Sequence, residues 1–96
     1  MNSITTKDLN KILQPGISII DIREKVKYNL GHIKYAINIT KNELMFNTEK
    51  YLVKDKTYYI YCDKGTISKG LVNYLGIKGY NAINIIGGYE AYKLNI

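Results

Sequence analysis

Two hydrophobic rhythms alternate along this chain. Short, almost unbroken apolar runs occupy residues 17–22, 36–39, 57–61 and 82–86, and residues 3–6 form a briefer β-prone stretch. Runs of that length read as strands, and the lack of polar alternation in residues 17–22 reads as cover on both faces. Between them the apolar residues recur at intervals of three and four, the spacing of one helix face. Strand and helix follow one another in turn, which predicts an α/β fold on a parallel sheet with right-handed crossovers.

Local signals mark where the helices begin and end. Thr5 or Thr6 is placed as a cap with Asp8 in the first turn; Leu9, Ile12 and Leu13 mark the buried face, and Pro15-Gly16 stops the helix. Residues 24–30 read as a short helix with Val26 and Leu30 one turn apart, ended by Gly31-His32-Ile33. Thr40 and Glu43 have capping-box spacing ahead of Leu44, Met45 and Phe46, and the methionines and Phe46 are expected in the core or at its rim. Residues 48–53 fit a helical turn or an extended segment, and Asp55-Lys56 a turn. A helix over about 68–78 stops at Gly79, Gly87-Gly88 permits a tight turn, and residues 89–94 form the last helix.

Composition narrows the function classes. The 96 residues, 46% hydrophobic and 23% charged, are expected to form one globular domain over residues 1–96. A single cysteine excludes an internal disulfide and suits a reducing, cytoplasmic setting. One cysteine and one histidine do not make a usual structural zinc site, and no metal or other cofactor is implied. No signal pattern or run of membrane-span length is present, so no membrane partner is expected. The net charge is +6, yet the lysines are scattered and Arg23 is the only arginine. Solvated lysines, rather than a nucleic-acid surface, are the better reading.

The most informative stretch is the run that ends at Cys62. A strand delivers this residue into Asp63-Lys64-Gly65-Thr66-Ile67-Ser68, and a helix follows with Ile67, Leu71, Tyr74 and Leu75 at helix-face spacing. At a strand-to-helix turn the backbone N–H groups lack intrahelical partners and can form an anion cradle, reinforced by the helix dipole. A thiol there is pushed toward thiolate. The bland alternative is a buried, inert cysteine. Asp21 and Arg23 fall at the carboxyl end of an earlier strand, the edge where ligands bind in open α/β sheets. They fit a local ion pair that holds the next loop, direct substrate contact, or both. His32, just after a helix stop, reads as structural rather than as a general base.

Four pieces in order resemble the rhodanese superfamily. They are Ile20-Asp21-Ile22-Arg23, the run from Gly31 to Ile39, the run from Tyr61 to Ser68, and Gly87-Gly88-Tyr89-Glu90-Ala91-Tyr92. The resemblance implies a five-stranded parallel sheet with helices on both faces. It also implies sulfur transfer through a persulfide on Cys62, from thiosulfate or a similar donor to a thiol or cyanide. Residues 63–68 would bind the sulfur and the donor mainly through backbone N–H groups, with Gly65 letting the loop curl closely. Lys64 resembles the basic loop residue of thiosulfate-type members, although a solvated lysine fits as well. Asp63 is expected to point out to solvent, since a carboxylate aimed inward would raise the thiol pKa. Many members have an arginine where this chain has Ile67, so Asp21 needs another partner, such as Arg23 or loop N–H groups. Tyr92 stands where the family commonly has tryptophan.

Three other readings compete. A cysteine phosphatase needs C-x5-R to clamp a phosphoryl group, and that position here is Ser68. A non-catalytic interaction module or persulfide carrier would share the fold, but retention of the cysteine favours chemistry. A redox sensor has no resolving cysteine in this chain.

Overall fold

The computed structural model describes residues 2–95. Its elements alternate as the hydrophobic pattern predicts: β1 Ser3–Ile4, α1 Thr6–Ile12, β2 Ile19–Asp21, α2 Lys25–Leu30, β3 Ala36–Asn38, α3 Lys41–Phe46, α4 Thr48–Tyr51, β4 Thr57–Tyr61, α5 Thr66–Ile77, β5 Asn81–Ile85 and α6 Gly88–Leu94. The five strands form one parallel sheet in the order β1-β5-β4-β2-β3. No helix among the described residues is long and apolar enough to cross a membrane.

Side-chain alternation along the strands divides the core into two layers. Tyr58 and Ile60 of β4, with Ile20 of β2 and Ala82 of β5, pack against Leu44 of α3 and Leu71, Val72 and Leu75 of α5. Tyr59 and Tyr61, with Ile19 and Ile85, face Leu9 of α1 and Tyr89 and Tyr92 of α6. Helices therefore cover both faces, and β4 lies in the middle with β5 and β2 beside it. The carboxyl ends of β2, β4 and β5 thus open onto a common edge, where the first places Arg23, the second Cys62 and the third Gly87.

Several local expectations hold in detail. The Thr5 hydroxyl accepts from the Asp8 N–H at 3.1 Å and caps α1. Gly79 takes φ +95° just after α5. His32 stacks on Tyr28 and lies 2.9 Å from the Tyr28 carbonyl through Nδ1, contacts that fit the structural reading. Thr40 caps α3, but Glu43 does not return the bond and instead accepts from the Tyr51 hydroxyl at 3.0 Å.

Others are corrected. Ile12 is exposed, and Leu9 alone anchors the apolar face of α1 in full burial. Val26 and Leu30 of α2 are open to solvent; the half-buried Tyr28 holds that helix, donating its hydroxyl to the Ala36 carbonyl at 2.6 Å. Phe46 is 74% exposed, outside the core or rim where it was expected. Helix α5 begins at Thr66, two residues before the expected start, and this changes the site.

Candidate active site

The sulfur of Cys62 acts where a helix cap would. Gly65 is the residue before α5 and supplies no side chain to the exposed N–H groups of the first turn. Those groups turn to Cys62 instead: Sγ accepts from the N–H of Gly65 at 3.2 Å and of Ser68 at 3.3 Å. Gly65 can close this ring because it takes φ +87°, and a β-carbon there would stand 2.8 Å from the Gly87 nitrogen. The loop is also held from behind. The N–H of Tyr89 reaches the Cys62 carbonyl at 2.9 Å, and that of Glu90 reaches the Asp63 carbonyl at 3.0 Å. With their carbonyls tied to the start of α6, the two residues leave the loop N–H groups facing the sulfur.

These contacts act on ionisation in opposite directions. Burial pushes the thiol up, but the Ser68 hydroxyl and the N–H groups of Ser68, Gly65 and Lys64 outweigh it and bring Cys62 below its ordinary value. The cysteine is buried but not sealed. It lies in a pocket of about 570 Å³, open to solvent, together with Lys64, Thr66 and Ile67 of the loop and Arg23, Lys27 and Lys41 from the opposite wall. Among the described residues, neither Lys41 nor Lys64 forms an ion pair, so both cations remain available to an anion in the pocket.

Asp21 and Arg23 form a second buried cluster beside the first. The Asp21 carboxylate accepts from Arg23 Nη2 at 2.7 Å, Nε at 3.0 Å and the backbone N–H at 2.9 Å, and from the Tyr61 hydroxyl at 2.7 Å. Arg23 Nη2 also donates to the Gly31 carbonyl at 2.6 Å, and the guanidinium lies 4.4 Å from the Tyr89 ring centre. Burial works against the charge on Arg23, but the bonds to Asp21 more than restore it and hold the group cationic. Burial and the bond to Asp21 keep the Tyr61 phenol neutral. Asp21 therefore finds its partner in Arg23, the first of the two options open in the sequence. Only Nη1 of Arg23 is lightly engaged, 3.4 Å from Asp63.

Asp63 does not simply point to solvent as expected. Its carboxylate is 39% exposed and pairs with Lys27 at 2.6 Å as well as with Arg23. Burial pushes this carboxyl up, and the bond and charge of Lys27 and Arg23 outweigh it, holding Asp63 below the usual carboxylate range. Its charge is thereby neutralised away from the sulfur. Ile67, expected on the helix face toward the core, is 58% exposed at the pocket wall, and Ser68 is the buried residue instead. Sequence reasoning missed Asn84, Tyr61 and Lys41. Asn84 is a buried amide between Ile83 and Ile85 of β5, and that polar interruption of the apolar run was the signal available.

A profile of the rhodanese-like domain family matches residues 5–95. The chain is 30% identical over 80 residues to the thiosulfate sulfurtransferase GlpE of Tolumonas auensis, covering 82% of this chain and 74% of that protein. Its fold is similar to a rhodanese-like domain protein of Staphylococcus aureus, with TM-score 0.85, 31% identity and coverage of 96% of this chain and 91% of that one. A rhodanese-related protein of Thermoplasma volcanium gives TM-score 0.87 at 29% identity, covering 99% of this chain and 93% of the other.

Proposed function

The chain belongs to the rhodanese-like domain family, and from that premise we propose that it is a thiosulfate sulfurtransferase working through a persulfide on Cys62. The observation that carries this reading is the Cys62 sulfur in an open pocket with the Gly65 and Ser68 N–H groups aimed at it. In the first half-reaction the thiolate attacks the outer sulfur of thiosulfate. A new S–S bond forms at Cys62, the old S–S bond breaks, and sulfite leaves with its electron pair. In the second, a thiolate or cyanide attacks the outer sulfur of the persulfide and Cys62 departs as thiolate.

The same N–H groups serve both steps, because in both the negative charge moves onto or off the sulfur they surround. Lys64 and Lys41 give the donor dianion a favourable approach. Asp21 and Arg23 support the loop rather than react. The lone cysteine suits a reducing compartment, and the cytoplasm is the proposed location. The test is thiocyanate release from thiosulfate and cyanide. Double-displacement kinetics that vanish in Cys62→Ser are expected, and turnover retained by that variant would overturn the assignment.

A further inference from the structure

The Ser68 hydroxyl has one proton and two neighbours that want it. It lies 3.3 Å from the Cys62 sulfur and 2.6 Å from Asn84 Oδ1. The amide of Asn84 is itself fixed, since its Nδ2 donates to the Gly65 carbonyl at 3.2 Å. That leaves Oδ1, an acceptor only, facing Ser68. The hydroxyl proton therefore lies on Asn84, and the Ser68 oxygen presents a lone pair to sulfur, accepting from the Cys62 thiol. Ser68 and Asn84 are buried and do not line the pocket, so water does not offer the hydroxyl a ready alternative.

We propose that Asn84 is a positioning residue of the sulfur site, deciding through Ser68 whether the hydroxyl accepts from Cys62 or donates to it. With the thiol protonated, the chain runs from Sγ–H to Ser68 Oγ and from Ser68 O–H to Asn84. Once the sulfur is ionised it has no proton to give, and the Ser68 hydroxyl turns to donate to it, releasing Asn84 Oδ1. Asn84 thus competes with the thiolate for one proton. It holds the sulfur less firmly ionised than the N–H ring and an uncontested Ser68 hydroxyl would, which preserves nucleophilicity, since a thiolate loses reactivity as its basicity falls.

The inference rests on Cys62 being the working sulfur, but its test reads the thiol directly and needs no turnover. Other ionisable groups around Cys62 are Asp63 and Lys64 on the loop, Arg23 and Glu24 after β2, Lys27 on α2, Lys41 on α3 and Glu90 on α6. None is altered in the variants, and β5 contributes only the neutral Asn84. The experiment is the pH dependence of iodoacetamide alkylation of Cys62, followed by intact mass. It compares wild type, Asn84→Val, Ser68→Ala and the double variant, with Asn84→Ala in place of valine should the larger side chain prevent folding.

Asn84→Val is expected to move the alkylation midpoint to lower pH, raising the thiolate fraction about fivefold at a fixed pH below it, the worth of one hydrogen bond, and the reaction about two- to threefold once the lower basicity is counted. Ser68→Ala is expected to move the midpoint up. In the Ser68→Ala background the Asn84 substitution is expected to do nothing further. A loosened loop, in contrast, would shift the midpoint equally in both backgrounds. An equal shift, or no shift from Asn84→Val, overturns the proposal. Loss of sulfur transfer in wild type with these midpoints as expected would count against the proposed function alone.

Discussion

Two buried polar clusters lie at the carboxyl ends of neighbouring strands, and they are completed to different degrees. Around Asp21, opposite charges meet and the hydrogen-bonding capacity is nearly filled: the carboxylate by Arg23 and Tyr61, the phenol by the Ile33 N–H at 3.0 Å. Around Cys62, a single titratable atom is surrounded by neutral dipoles and opens onto a pocket. Under the proposed function, the difference separates scaffold from chemistry. A cluster whose charges are mutually satisfied fixes backbone in place and has little left to offer a ligand. A cluster whose donors face one exchangeable charge, with access from one side, can stabilise that charge as it appears and leaves.

The largest expected effect comes from breaking the filled cluster. Asp21→Asn strands the Arg23 charge in the interior and should cost about 3–5 kcal/mol of stability, read from the urea midpoint. A loss under about 1 kcal/mol would show that Arg23 finds adequate solvation without Asp21.

The next effect concerns how the open cluster is held. At Gly88, with φ +58°, a β-carbon would press on the Cys62 carbonyl and stand 2.8 Å from the Asp63 carbonyl carbon. Gly88→Ala should destabilise by roughly 1–3 kcal/mol and raise the pH at which Cys62 is alkylated, because the loop N–H groups lose their aim. Gly70 lies within α5 with nothing within 4 Å of an added β-carbon. Gly70→Ala should therefore stabilise by about 0.5–1 kcal/mol and leave the sulfur unchanged. Similar behaviour in the two variants would mean that α6 does not hold the loop.

The smallest effect lies where the clusters touch. Asp63 has its pKa depressed by Lys27 and Arg23, so its pairing stabilises the fold above the ordinary carboxylate pKa of about 3.9. That contribution is lost as the pH falls through the depressed value. Because both Asp63 and Lys27 are substantially exposed, Lys27→Met should cost no more than about 1 kcal/mol at neutral pH. The difference should vanish in acid; a difference that grew in acid would mean that the pair is not what Lys27 contributes.

What could be read from the sequence and what could not divide along the same line. The strand ending at Cys62, the glycine that closes the loop and the order of strands and helices are local patterns, and local backbone preference determines them. Pairings across the sheet are not local. Ser68 meets Asn84 from 16 positions away, and Tyr61 meets Asp21 from 40, because β5 and β2 flank β4 only once the sheet has formed. Helix periodicity also misassigned Ile67. Starting α5 at Thr66 turns Ser68 inward and leaves Ile67 on the pocket wall. Val26 and Leu30 have helical spacing without a core opposite them, since Tyr28 already anchors that short helix.

The central claim is tested most directly by intact mass after brief exposure of the protein to thiosulfate. The account predicts a gain of one sulfur atom, about 32 Da, removed by cyanide or a thiol and absent in Cys62→Ser. A folded wild-type protein that takes up no sulfur, or a Cys62→Ser variant that does, would contradict it.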